Sequence, residues 1–204
     1  MIPLEYFNKP IEWMKNHEKI IHGGIIIVGS SKGAELALLL ASRNPAIKGC
    51  IVRAPSSVVW QGIPRFLPWP RRSSWSLNRK PLPFVPYDYS KGFNPKDFGL
   101  YKQSLTQKEC VEKATIEVEQ IQGPILLLSG TCDNMWPSAE MGDMICKRLK
   151  EKEFKYKYEH VKYKDAGHTL NEYVMMGGTL EANKKARIDS NGKMMEFFKA
   201  IQNE

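Results

Sequence analysis

One stretch constrains this chain more than any other. Ile25-Ile26-Ile27-Val28 runs into Gly29-Ser30-Ser31-Lys32-Gly33, which opens directly into the Ala- and Leu-rich segment Ala34–Ser42. A short β-branched run, apolar on both faces, has the character of a central parallel strand. The Ala/Leu segment favours helix, and Asn44-Pro45 stops it. A strand and a helix joined by only five residues, four of them small, demand a sharp, strained turn. The G-x-S-x-G pattern places Ser31 at its tip, with Gly29 and Gly33 relieving the crowding on either side. Neither competing glycine motif fits. Gly24-x4-Gly29 is followed by Ser30-Ser31 rather than Lys-Ser/Thr, and no Gly-x-Gly is present for a dinucleotide.

The rest of the chain repeats the alternation. Residues 3–18 read as a helix carrying Leu4, Phe7, Ile11 and Met14 on one face. Strands are expected at 49–53, 124–128 and 156–163, the last alternating as near a sheet edge. Helices are expected at 96–113, at 138–150 with Met141, Met144, Ile145 and Leu149 inward, and at the end through Met194, Phe197, Phe198 and Ile201. The sum is an α/β chain, a mostly parallel sheet flanked by helices, read as one domain over 1–204.

Residues 54–97 differ in kind. They hold most of the thirteen prolines, with Trp60, Trp69, Trp75 and the basic Arg65, Arg71, Arg72, Arg79 and Lys80. Proline at that density forbids a long helix or central strand, so the segment reads as a cap-like excursion. Two readings of it stand. Its bases, Arg71 and Arg72 among them, recognise a phosphate-bearing substrate above an apolar slot, or it is a solvated cover whose tryptophans are core.

A serine at such a turn is a nucleophile only with a base and a group to orient it, and in this architecture the order is Ser, acid, His. After the third strand comes Asp133, and after the fourth comes His168. Both fall in loops at the carboxyl edge of the sheet, where active-site groups collect. The expected set is Ser31, Asp133 and His168. Asp165, three residues before His168, is read as shaping the loop. His160 lies within a strand and is read as a fixed side chain, and His17 and His22 as surface residues. The Lys32 backbone N–H is the expected oxyanion donor, its side chain facing solvent. Glu35 is read as either a partner of the turn or a solvated carboxylate. Trp136 either lines the pocket or packs its loop.

Thirty Lys+Arg against 22 Asp+Glu give a net charge of +8, which suggests an anionic partner, yet no nucleic-acid module accompanies it. No apolar run approaches the roughly 20 residues of a membrane span, and the first twenty residues carry no secretory signal. Cys50, Cys110, Cys132 and Cys146 form no CxxC pair and no zinc spacing. Reduced thiols, a cytoplasmic location, and neither metal nor cofactor are expected.

Taken together, Leu4-Glu5-Tyr6-Phe7, Val28 through Leu36, Leu128-Ser129-Gly130-Thr131-Cys132-Asp133-Asn134-Met135-Trp136, Cys146-Lys147-Arg148-Leu149 and Ala166-Gly167-His168 resemble one family. It is the C-terminal catalytic domain of acyl-CoA thioesterases and bile acid-CoA:amino acid N-acyltransferases, of the α/β-hydrolase superfamily. The resemblance implies cleavage of a fatty acyl-CoA thioester through an acyl-enzyme, with Ser31 as nucleophile, Asp133 as acid and His168 as base. A CoA substrate would give the positive charge an object. Family members that transfer acyl groups can carry Cys as nucleophile, so Ser31 favours hydrolysis. In the family, four strands and a β-rich domain precede the nucleophile turn, whereas one helix precedes Ser31. The first four strands and the loop supplying a second oxyanion donor are therefore expected to be missing, at a cost of about 10²–10³ in rate. Residues 25–28 become an apolar edge open to pairing with a second copy. The competing expectations are a carboxylesterase of dienelactone-hydrolase type, an acyl-CoA:amino acid N-acyltransferase, and a non-catalytic remnant serving as an interaction module.

Overall fold

Four parallel strands make the main sheet: β2 (Ile25–Ser30), β3 (Ile47–Arg53), β6 (Ile125–Gly130) and β7 (Tyr158–Tyr163), in the order β2-β3-β6-β7. The computed structural model describes residues 1–19, 24–63, 71–90, 92 and 99–202. Every residue of β6 is buried, as a continuous apolar run with helices on both faces requires. Its side chains alternate between two cores. Ile125 and Leu127 join one that holds Leu38, Ile47, Trp60 and Met141; Leu126 and Leu128 join another with Ile51, Ala166, Leu170 and Ala186. A period of two in one apolar strand thus feeds both sides of the sheet.

The helices that cover these faces follow from their patterns. The turn helix α2 (Lys32–Ala41) buries seven of its ten residues and is apolar nearly all round. Helix α5 (Ser138–Glu151) buries Met141, Gly142, Ile145 and Leu149, while Met144, expected inward, is 39% exposed. On the opposite face α6 (Leu180–Gln202) lays Ala186, Met194, Phe197 and Phe198 on the second core. The leading segment begins as a 3-10 turn (Leu4–Phe7) and continues as α1 (Asn8–Asn16). The helix expected over 96–113 is two short ones, α3 (Gly99–Ser104) and α4 (Lys108–Ala114). The chain turns between them, Ser104 O accepting from Gln107 N. Residues 96–98 lie outside the described ones.

Ile25–Val28, with the composition of a central strand, stands at the sheet edge among the described residues, and Val28 is 47% exposed. The excursion after β3 has Trp60 and Trp75 as core, as one of its two readings has it, and with Val58, Val59, Val85 and Tyr87 they join the same core as α2 and β3. It contributes β4 (Trp75–Leu77) and β5 (Lys80–Pro81), an antiparallel hairpin whose loop residues Asn78 and Arg79 both have positive φ, 50° and 63°. β1 (Ile2–Pro3) pairs with β4 in parallel. Trp69, Arg65 and His22 lie outside the described residues.

Candidate active site

Ser31 links β2 to α2 with φ 56° and ψ −123°, a conformation that costs a non-glycine residue about 1–3 kcal/mol. Three backbone hydrogen bonds hold it there. Its N–H donates to Arg53 O at the end of β3 (2.9 Å), and its carbonyl accepts from Ala34 N (2.8 Å) and Glu35 N (3.2 Å). Tightness falls on one glycine only. A Cβ at Gly29 would sit 2.2 Å from Gly33 O, whereas a Cβ at Gly33 would meet nothing within 4 Å among the described residues. The expectation that both glycines relieve crowding is therefore corrected: Gly29 does, Gly33 does not. Lys32 stands at the first helical position, where a backbone N–H has no intrahelical acceptor and is free for an anionic oxygen.

Asp133 and His168 arrive at the same sheet edge from loops after β6 and β7. His168 Nδ1 lies 2.8 Å from Asp133 Oδ2, and both side chains are almost wholly buried. The carboxylate is fixed on every side. Oδ1 accepts from Met135 N (2.8 Å) and Trp136 N (3.1 Å), and Oδ2 also accepts from Ser138 Oγ (2.5 Å). A carboxylate so held sets one ring nitrogen of the histidine as a donor and leaves the other to take a proton. Asp165 has no such contact with His168. It adopts φ 56°, accepts from Thr179 N and donates its own N–H to Thr131 Oγ1, shaping the loop. Among the described residues no hydrogen bond joins Ser31 to His168; the register of β2, β3, β6 and β7 sets their loops along one edge.

The backbones of the two loops touch. A Cβ on Gly130 would lie 2.3 Å from Ala166 O, and one on Gly167 would lie 2.2 Å from Gly177 O. Asn183, on α6, is fully buried beneath them. Its Oδ1 accepts from Gly167 N (2.9 Å), and its Nδ2 donates to Gly177 O and Thr179 O. Neither Asn183 nor Ser138 is marked out by any motif, although both act on nearby residues, Ser138 on Asp133 five positions before it and Asn183 on the loop just ahead of α6.

Trp136 packs its loop, one of the two roles left open for it. Its ring meets His168 edge-to-face at 5.5 Å, stacks on Trp60 at 6.5 Å and meets Tyr101 at 5.5 Å. It also lines a cleft of about 470 Å³ with Lys102, Thr131, Asp133, Asn134 and Glu140, whose lining includes neither Ser31 nor His168. Arg71 and Arg72 are exposed ahead of β4 and do not line that cleft. His160 is held within β7, its Nε2 2.7 Å from Ser129 Oγ and its Nδ1 3.1 Å from Asp143 Oδ1.

One expectation about the turn helix is corrected, and one pair of alternatives is decided. The Lys32 side chain does not face solvent; its Nζ is 2.8 Å from Glu35 Oε2, and burial pushes its ammonium pKa down. Of the readings open for Glu35, the structure shows the partner of the turn: the carboxylate is fully buried and pairs with Lys32. Among the described residues no group of three His, Cys, Asp or Glu side chains is disposed to hold a metal ion, and no helix is long and apolar enough to cross a membrane.

The fold is that of the α/β-hydrolases. Solved structures that match include an acylaminoacyl peptidase of Pyrococcus horikoshii, with a TM-score of 0.58 and 14% identity over 96% of this chain and 26% of that one. Another is a sugar hydrolase of Lactococcus lactis, with a TM-score of 0.55 and 15% identity over 97% of this chain and 69% of that one. Among curated proteins, acyl-coenzyme A thioesterase 2, mitochondrial, of Mus musculus is 26% identical, covering 96% of this chain and 44% of the relative. Peroxisomal succinyl-coenzyme A thioesterase of Mus musculus is 23% identical, covering 97% and 49%. The chain thus spans about half the length of the curated relatives it matches. The model of the BAAT / acyl-CoA thioester hydrolase C-terminal family matches residues 2–203, so the resemblance carried by the serine turn and the two loops holds along the whole length, and the chain belongs to that family.

Proposed function

We propose that this chain cleaves acyl-CoA thioesters to free acid and CoA, with Ser31 as the nucleophile. The observation that carries the reading is the pairing of Ser31, at φ 56° on a strand-to-helix turn, with a buried His168–Asp133 couple on the same sheet edge. In this reading His168 Nε2 takes the Ser31 proton as Oγ attacks the thioester carbonyl. The tetrahedral oxyanion is met by the Lys32 N–H, and its collapse expels the CoA sulfur, which His168 protonates. Water activated by the same histidine then hydrolyses the acyl-serine. An acyl-serine is an oxygen ester, less prone to capture by amines than the thioester an acyl-cysteine would be, so Ser31 supports hydrolysis over amino-acid transfer.

The test compares wild type with Ser31→Ala on palmitoyl-CoA and on a short p-nitrophenyl ester. Thioester turnover lost in the variant supports the proposal. Preference for the ester would make the chain a carboxylesterase, consumption of acyl-CoA only with added glycine or taurine would make it a transferase, and equal, negligible rates would leave a non-catalytic interaction module.

A further inference from the structure

Glu35 is the one fully buried carboxylate of the turn helix, and its three partners come from three places. Oε1 accepts from Trp75 Nε1 at 2.6 Å and from Trp60 N at 3.2 Å; Oε2 is 2.8 Å from Lys32 Nζ. Its own N–H donates to the Ser31 carbonyl at 3.2 Å. Burying a charge is unfavourable even when it is paired, and a well-packed apolar residue would hold a helix to its neighbours at lower cost. What an apolar residue cannot do is fix direction. The carboxylate ties the backbone at Trp60 and the indole of Trp75, 25 and 40 residues downstream, to the helix that begins at Ser31. The path continues: Trp60 stacks on Trp136 with 19° between planes, and Trp136 sets its edge against His168. Burial pushes the Glu35 carboxyl pKa up, while Lys32, Trp75 and Trp60 pull it down.

We propose that Glu35 is a positioning residue for the reaction, joining the Ser31 turn to the aromatic wall behind His168 through Trp75 and Trp60. It touches no reacting atom. The inference rests on Ser31 being the nucleophile, but one of its readouts does not.

Trp75→Phe is the primary variant, because it deletes one N–H and keeps most of the ring volume; Glu35→Gln is the second. With folding verified by near-ultraviolet circular dichroism, amide hydrogen exchange at Ser31, Ala34 and Glu35, the hydrogen-bonded amides of residues 31–35, should accelerate about tenfold or more in Trp75→Phe, as loss of a hydrogen bond to a charged group implies. Exchange in β6 and β7 should stay unchanged. In steady-state assays with an acyl-CoA, kcat should fall about tenfold while KM stays within about twofold, the mark of lost transition-state geometry. Unchanged protection at 31–35 in folded Trp75→Phe, or a loss carried by KM with kcat intact, would overturn the proposal. If Ser31→Ala proves as active as wild type, or if wild type turns over no acyl-CoA, the nucleophile assignment fails and the catalytic part of this proposal with it. The exchange result then decides the mechanical coupling alone.

Discussion

Asp133 Oδ2 receives two hydrogen bonds, one shared with His168 Nδ1 at 2.8 Å and one from Ser138 Oγ at 2.5 Å, while Oδ1 is occupied by the backbone of Met135 and Trp136. An amide at this position cannot accept on both heavy atoms. Asp133→Asn must either present an NH2 to donors or release His168. If His168 is the base, thioester turnover should fall about 10⁴-fold. Stability should drop by about 1–3 kcal/mol, as one of these donors is left unpaired. Stopped-flow thiol release and urea unfolding measure the two effects separately. Loss of stability with turnover retained would remove Asp133 from the mechanism.

The two glycines of the motif should part company. Gly29→Ala forces a methyl to 2.2 Å from Gly33 O, and backbone cannot yield as a side-chain tip can. It should cost more than about 1–3 kcal/mol, the usual penalty of overpacking, and abolish turnover with it. Gly33 is helical and exposed, with open space where a Cβ would be. Gly33→Ala should stabilise by about 0.5–1 kcal/mol, and chemical unfolding of both variants is enough to check the asymmetry.

The contrast shows what a sequence discloses. The strand–turn–helix around Ser31 is legible because it is local: β-branched run, small-residue turn and Ala/Leu helix are adjacent, and one residue's conformation follows from them. Asp133 and His168 are legible because each ends a recognisable strand. The Lys32 side chain is not, and Glu35 is legible only as one of two alternatives. What turns them inward is Trp60 and Trp75, and no spacing rule relates residue 35 to residue 75. Met144 is misread for a related reason, since helical period alone cannot tell how wide an apolar stripe the neighbouring sheet covers. Ile25–Val28 has the composition of a central strand yet lies at the sheet edge among the described residues, as the family resemblance implies and its composition does not. Composition reports the environment a strand suits, not how many neighbours are paired with it.

Trp136 carries an indole N–H that is buried without an acceptor among the described residues, as does Trp60. A buried unpaired donor costs about 1–3 kcal/mol, so removing it recovers part of what a smaller ring loses. Trp136→Phe should therefore fall within about 1 kcal/mol of wild type in stability, whereas Trp136→Ala, which opens a cavity, should cost roughly 3–5 kcal/mol. Thermal unfolding of the two variants checks the difference. If Phe is as damaging as Ala, the N–H has a partner in solution.

His160 gives the fold a pH dependence of definite sign. The ring is held between Ser129 and Asp143, and a Cβ on Gly142 would lie 2.4 Å from it, so α5 closes over the imidazole. Burial dominates and pushes its pKa below 6.5, against the opposing pull of Asp143; Lys162, paired with Asp143, pushes the same way as burial. Below 6.5 the unfolded chain then binds more protons at this site than the folded one, so acidification favours unfolding. The contribution of His160 is fully present above its unfolded value and is lost as pH falls from there toward the folded one. Urea midpoints taken between about pH 7.5 and 5.5, a window spanning the ordinary histidine value, should decline for wild type. His160→Gln, which keeps a polar group in reach of Ser129 but cannot titrate, should decline less. A midpoint that rises on acidification, or equal slopes for the two proteins, would show that the ring is protonated in the folded state and that Asp143 outweighs burial.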